Sequence, residues 1–330
     1  MKKFWIYPLL ILLVSEAFGQ INPYSGRFLL IDTAYTFKLD EDITYFDSLK
    51  LKIWQKGGEA TITLSQISFT NWTAGGENSV SGIGNLLAYA NRRKGKNTWN
   101  NNLEVAYGLL SQGGDIRKTD DRIDFTSLYN RFLKNEWYYS LMINFKTQIF
   151  PGYNYPNDSV IISAFLAPGY VLTTMGVEYR PSKKLIMTIA PVSGKITIVA
   201  DQNLANKGAF GVVEGTFNEI LEIFETLGNN LKYELGAFAK FIYNGKLTEN
   251  LRLRTKVDLF TGYNKSFGNI DVNWELTARI KLTEIIAMNI MTHLIYDDDV
   301  KMELDDRGNI IRGPRIQFKE MVGFGFTFMF

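Results

Sequence analysis

Ile270-Asp-Val-Asn-Trp-Glu-Leu-Thr-Ala-Arg-Ile-Lys-Leu282 alternates apolar and polar residues without a break. Ile270, Val272, Trp274, Leu276, Ala278, Ile280 and Leu282 fall on one face of an extended chain. Asp271, Asn273, Glu275, Thr277, Arg279 and Lys281 fall on the other. Side chains of a strand point alternately to its two faces, so a period of two reads as β and not as helix. Thirteen residues of it are long for a soluble sheet, where about five or six are usual. A tilted strand crossing a membrane needs about 9–11 in the apolar zone. An Arg or Lys turned toward lipid costs ~2–4 kcal/mol near the midplane, so the charged face must look inward.

The same two-faced pattern recurs along the chain. Trp137, Tyr139, Leu141, Ile143 and Phe145 alternate with Ser140, Asn144 and Lys146, and Leu231, Tyr233, Leu235, Ala237 and Phe241 with Lys232, Glu234 and Lys240. It predicts twelve strands, at 59–70, 79–93, 98–110, 121–132, 136–150, 165–180, 184–193, 230–244, 249–263, 268–282, 285–297 and 314–330. The links at 94–97, 133–135, 181–183, 245–248 and 283–284 are tight, and the intervening ones are longer except the one after the ninth strand. Short turns on one rim and long loops on the other characterise a single-chain outer-membrane barrel. The predicted fold is therefore all-β: a transmembrane antiparallel up-and-down barrel of about 12 strands with a short periplasmic N-terminal extension.

The N-terminus agrees with export. Lys2 and Lys3 precede an apolar run from Phe4 to Val14, and Ala17-Phe18-Gly19 predicts cleavage before Gln20. Residues 1–19 are thus expected to be a signal peptide, 20–58 a periplasmic extension and 59–330 the barrel. Leu49-Lys-Leu-Lys-Ile-Trp54 could add a strand within the extension. Of 36 basic and 34 acidic residues, the signal removes Lys2, Lys3 and Glu16, leaving 34 against 33. So balanced a chain has no field to draw nucleic acid. The absence of cysteine excludes disulfides and thiolate metal sites, and a single histidine, His293, excludes imidazole clusters. No metal and no cofactor are expected.

Aromatic residues gather at strand ends. Tyr89, Trp99, Phe132, Trp137, Tyr179, Tyr243 and Phe330 lie beside tight turns or the C-terminus, as a periplasmic girdle would. Phe69, Trp72, Phe150, Tyr153, Phe165, Tyr263 and Tyr296 lie toward the other rim. The terminal Phe324-Gly-Phe-Thr-Phe-Met-Phe330 puts four phenylalanines on one face. A terminal aromatic on such a strand resembles the signal read by the barrel-assembly machinery. Expected partners are outer-membrane lipid, that machinery through Phe330, and a small solute; the expected address is the cell outer membrane.

Eight segments resemble a family of uncharacterised outer-membrane proteins common in Bacteroidota, known only as a domain of unknown function. They are Gln66-Ile-Ser-Phe-Thr-Asn-Trp-Thr-Ala-Gly-Gly-Glu-Asn78, Thr98-Trp-Asn-Asn-Asn-Leu103, Tyr107-Gly-Leu-Leu110, Arg117-Lys-Thr-Asp-Asp-Arg-Ile-Asp124, Phe165-Leu-Ala-Pro-Gly-Tyr170, Gly208-Ala-Phe-Gly-Val212, Asp271-Val-Asn-Trp274 and Leu294-Ile-Tyr-Asp-Asp-Asp299. The resemblance spans nearly all of the chain from about Trp54. It implies a barrel and an outer-membrane address, and no activity.

The inward faces supply the candidate chemistry. Arg252, Arg254, Lys256 and Asp258 on the ninth strand should meet Asp271, Glu275, Arg279 and Lys281 on the tenth as cross-strand partners. With His293 at inward parity on the eleventh, these are the lumen-lining or binding candidates. They fit a solute-selective channel lining or a neutralising network that fills a narrow bore. A porin-like channel or solute-binding barrel with a charged, partly occluded lumen is the first reading, and a structural component of an outer-membrane assembly the alternative. A hydrolase needs a nucleophile and base in reach of His293, and no signature for one is present, so no enzyme is expected. Asp297-Asp-Asp299 with Asp305-Asp306 could hold calcium but fits no EF-hand spacing. Arg117-Lys-Thr-Asp-Asp-Arg122 reads as a self-paired loop, and Asn71-Trp-Thr-Ala-Gly-Gly-Glu-Asn78 as a tight outer turn. In the longest loop, 194–229, Phe217, Ile220, Leu221, Phe224 and Leu227 recur at helical spacing ahead of Gly228, which predicts a short helix.

Overall fold

The computed structural model describes residues 54–67, 77–155, 157–218, 223–263, 268–283, 286–297, 303–304, 310–312 and 316–329. Twelve strands form a closed antiparallel barrel. They are β1 (Trp54–Ile67), β2 (Ser79–Lys94), β3 (Asn97–Gln112), β4 (Asp115–Phe132), β5 (Trp137–Thr147) and β6 (Gly169–Ser182). After them come β7 (Leu185–Ile198), β8 (Leu231–Lys246), β9 (Leu251–Gly262), β10 (Asp271–Lys281), β11 (Ile286–Tyr296) and β12 (Gln317–Met329). Each strand pairs with the next in sequence, and β12 returns to β1 with Glu59 opposite Met329 and Leu64 opposite Phe324. Closure removes the sheet edges that lipid could not hydrogen-bond.

The wall is apolar outside and polar inside. Leu141, Ile143, Ile189, Leu235, Trp274 and Phe324 are exposed on the outer face, whereas Asn85, Asn102, Asp124, Asn144, Lys256 and His293 are buried on the inner one. This inverts the distribution of a soluble sheet packed on an apolar core. Such a wall, closed on itself, makes the chain a transmembrane β-barrel.

On the terminal rim, Trp137 stacks on Tyr179 at 4.7 Å between ring centroids and Trp54 lies 5.8 Å from Trp99. Tyr89 and Phe132 depart from the expected girdle. They share the inward parity of Leu87 and Asn130, and Phe132 packs edge-on against Tyr138. On the opposite rim Phe150 and Phe165 are exposed.

Three expectations are corrected. The third connection is not long: β3 runs to Gln112, and Gly113 and Gly114, at φ 60° and 96°, make a two-residue turn into β4. Positive φ at both positions is what such a hairpin turn demands. Residues 117–122 are therefore strand and not loop, with Asp120, Asp121 and Arg122 buried. No helix forms at 217–227 in its described residues; Thr216–Asn218 pairs with Ile223–Thr226 as a hairpin in which Phe217 meets Phe224 at 5.0 Å. The loop's helix is instead the single turn α1 (Gln202–Asn206), capped by Asp201, whose carboxylate accepts from the Leu204 N–H at 3.0 Å.

β1 begins at Trp54, five residues ahead of the expected barrel start. The signal peptide, residues 20–53, Phe69, Trp72, residues 71–76, Ile220, Leu221, Asp298, Asp299, Asp305, Asp306 and Phe330 lie outside the described residues.

Candidate functional site: a charged vestibule above an apolar floor

An irregularity in the wall shapes the lumen. Pro191 has no N–H for the ladder, and in a strand it is tolerated at a bulge. Here Pro191 and the next residue, Val192, both face outward, while Ala190 and Ser193 face in. The register of β7 slips against β6 between Met175 and Val177, and against β8 between Gly236 and Phe238. A Cβ at Gly176 would sit 2.1 Å from the Ile189 carbonyl oxygen, so only glycine allows this approach. The bulge restores inward parity for Lys195.

Behind it, apolar side chains meet inside the barrel. Leu128 of β4, Met142 of β5, Ala190 of β7, Phe238 of β8 and Phe260 of β9 form one buried cluster, with Leu172 of β6 packed against it. β4 and β9 are five strands apart around the ring. The cluster therefore covers the inner face of six consecutive strands, half of the ring, and leaves little of it open to water.

Above this floor, toward the long-loop rim, lies a cavity of about 940 Å³. Its charged lining is cross-linked. Lys256 Nζ lies 3.4 Å from Asp258 and 3.6 Å from Glu275, its partner across the β9–β10 ladder. Lys240 reaches Asp258 at 3.7 Å, and Lys146 reaches Asp124 at 3.4 Å. Lys195 of β7 sits 2.9 Å from Asp271 of β10, 3.7 Å from Asp297 and 3.8 Å from Glu234. Lys319 of β12 donates to the Thr119 carbonyl of β4 at 3.2 Å. Two of these contacts, Lys195–Asp271 and Lys319–Thr119, join strands that are not ladder neighbours and so cross the lumen.

The loops finish the vestibule. Asp121 accepts from the Ile149 and Phe150 amides at 2.8 and 2.7 Å and pairs with Lys118 at 2.9 Å, pinning the loop after β5. Leu204, Ala205 and Val212 pack with Val199 onto Ala167, and Ala200 N–H donates to Leu166 O at 2.9 Å. This fold of the 199–230 loop brings Leu204, Lys207 and Phe210 into the lining.

Of the sequence candidates, Arg254, Lys256, Asp258, Asp271, Glu275 and His293 line the cavity. Arg252, Arg279 and Lys281 lie nearer the terminal rim. Arg252 faces Arg279 across the ladder, a like-charged pair, and Arg279 turns instead to Glu59 at 3.6 Å. His293 Nε2 lies 2.6 Å from Asn273 Oδ1, an amide oxygen that is neither nucleophile nor base. Asp297 is engaged by Lys195, and no metal-binding group of three occurs among the described residues. Sequence reasoning missed Asn102, Asp124, Lys146, Lys195 and Lys319, all of which line the cavity. The alternation carried Lys146, whereas Lys195 was hidden by the bulge.

Residues 64–153 match a family model described as a protein of unknown function, DUF3078. The first four of the eight resembling segments fall inside it. No curated protein matches the chain. Among solved structures, the chain is similar to an outer membrane channel from Pseudomonas putida F1, with 12% identity, 87% of this chain and 100% of that chain covered, and a TM-score of 0.39. It is similar also to the NanC porin, with 8% identity, 82% and 98% covered, and a TM-score of 0.35. An outer membrane phospholipase A from Escherichia coli overlaps at 8% identity, 86% and 93% covered, and a TM-score of 0.33. Overlaps this loose carry no argument about activity.

Proposed function

We propose that the chain is an outer-membrane barrel that holds a small solute in a vestibule closed from below, in place of a steadily open pore. The observation that carries this reading is the buried apolar cluster of Leu128, Met142, Ala190, Phe238 and Phe260 inside the barrel at the foot of the cavity. An open diffusion pore needs a continuous wet path, and buried Leu, Met and Phe contacts close one. The inverted polarity of the wall and the export-type N-terminus support the outer-membrane address, with Phe330 presented to the assembly machinery and lipid around the wall. Segregation of long loops to one rim supports the vestibule facing outward.

A structural role in an assembly is the second reading, favoured by the exposed Phe217, Ile223 and Leu227 of the loop hairpin. A hydrolase draws no support from His293, whose ring nitrogen is bonded to an amide.

Planar-bilayer recording of the purified full chain tests the proposal. The wild type should show no steady conductance, and Phe238→Ala with Phe260→Ala should open one. A wild type that conducts continuously would overturn the closed vestibule.

A further inference from the structure

The charges of the chain balance overall, yet the terminal rim is basic. On the arc from β1 to β5, Lys56, Arg92, Lys94, Lys96, Arg131 and Lys134 lie at or near the turns of that rim. The acids of the same stretch are Glu136, in the turn between β4 and β5, and Glu59, which is buried in the lumen. Ladder register fixes where the strand residues point, because directly opposed residues share a face. Arg92 stands opposite both Trp54 and Trp99, and Trp99 is exposed on the outer wall. Lys94 is opposite Asn97, Asn97 is opposite Arg131, and Arg131 is opposite the exposed Tyr139. Arg93, opposite the buried Thr98, faces the lumen instead. Arg92, Lys94 and Arg131 therefore turn toward the lipid side of the wall.

Their surroundings put them at a headgroup boundary. Along β3 and β4 the outer face passes from the exposed pair Leu103 and Phe125 to Asn101 and Ser127, and then to Trp99 and Tyr129. Trp99 donates its indole N–H to Ser127 at 2.9 Å, and the Arg92 guanidinium carbon lies 5.8 Å from the Trp54 ring centroid. Amphipathic rings mark the boundary between membrane and water, and Lys94 and Arg131 come just beyond them. Among the described residues, Arg92, Lys94 and Arg131 form no ion pair with a carboxylate. On the far side of the same rim the pattern reverses. Arg252, Arg279 and Lys281 face inward there, and Leu251, Leu253 and Ile280 cover the outer wall. A soluble acidic partner could reach cations in the turns, but a bilayer would keep it from outward ones at the level of the rings.

We propose that this arc binds an anionic phospholipid from the leaflet at the terminal rim. Arg92, Lys94 and Arg131 hold its phosphate-bearing headgroup, and its acyl chains lie against Leu103 and Phe125. A guanidinium offers a phosphate two parallel N–H donors, and an ammonium adds a compact charge. The proposal rests on the reading of the chain as a membrane-spanning barrel and is independent of the vestibule.

Quenching of tryptophan fluorescence by brominated lipids tests this, since Trp54, Trp99 and Trp137 lie on the arc. The full chain is reconstituted in phosphatidylcholine vesicles containing either brominated phosphatidylglycerol or brominated phosphatidylcholine. Phosphatidylglycerol should be preferred at least about fivefold, because each basic side chain at a membrane surface adds its own attraction to an anionic headgroup. High salt should weaken the preference, as screening requires. Arg92→Gln with Lys94→Gln and Arg131→Gln should abolish most of it. Lys183→Gln with Lys184→Gln and Lys246→Gln, which removes as much charge from the same rim outside the arc, should leave it nearly intact. Folding of each variant is read from its heat-modifiable gel mobility. No preference in the wild type, as a rim that serves a soluble acidic partner would show, or equal losses in the two folded triple variants, overturns the inference. Quenching by neither lipid would overturn the membrane-spanning reading along with it.

Discussion

Lys256 shows what one inward charge does in this wall. It is 9% exposed, and Asp258 and Glu275 flank it at 3.4 and 3.6 Å. Removing one member of a buried ion pair leaves its partner desolvated and uncompensated, at about 3–5 kcal/mol. Lys256→Met should therefore lower the urea midpoint of the barrel markedly, by a loss in that range. Adding Asp258→Asn and Glu275→Gln should restore most of it, since replacing a whole buried network with neutral groups is often close to neutral. Persistence of the full loss in the triple variant would mean that these residues act by shape and not by charge. Lys256, Glu275 and His293 were readable from alternation alone, because a charge opposite an apolar outer face has one place to go. The like-charged meeting of Arg252 and Arg279 was not. Pairing across a ladder follows register, and alternation fixes the face of a residue but not its partner on the next strand.

At the scale of the strand, β10 keeps its alternation over its whole length, with Trp274 outward and Glu275 in. Leu276 shares the outward face with Trp274. Leu276→Arg should destabilise the barrel by ~2–4 kcal/mol if the residue lies near the bilayer midplane, whereas Thr277→Arg, facing the lumen, should cost less. Unfolding of both variants in lipid vesicles decides it, and equal losses would place the membrane elsewhere on the strand. β7 shows why some elements were misread. Its alternation breaks at Pro191 and Val192, so the strand was expected to end at 193, yet it runs to Ile198. β4 begins in a stretch so polar that it resembled a loop, because above the lipid zone a strand has no need of an apolar face. Phe217 and Phe224, seven apart, would share one face of a helix, and they also meet across a hairpin. Periodicity cannot separate the two.

For the molecule as a whole, the rims differ. The two-residue turn at Gly95 and Lys96 lies on the terminal rim, and the loops at 148–168 and 199–230 lie on the other, beside the tight turn at Gly113 and Gly114. With the vestibule facing outward, a cysteine placed at Asp158 should react with a membrane-impermeant maleimide in intact cells. One placed at Lys183, in the turn between β6 and β7, should react only after the outer membrane is permeabilised. The reverse pattern would turn the vestibule toward the periplasm. Strand number, wall polarity and the sign balance of the lumen were determined by the sequence alone, because alternation, turn residues and charge are local properties of the chain. Which inward residues meet was decided only by tertiary structure. Closing the ring brings Leu128 and Met142 to Phe260, and Lys195 to Asp271, residues more than 70 positions apart. Proximity across a bore depends on strand count, tilt and the bulge at Pro191 together, and no stretch of sequence holds all three.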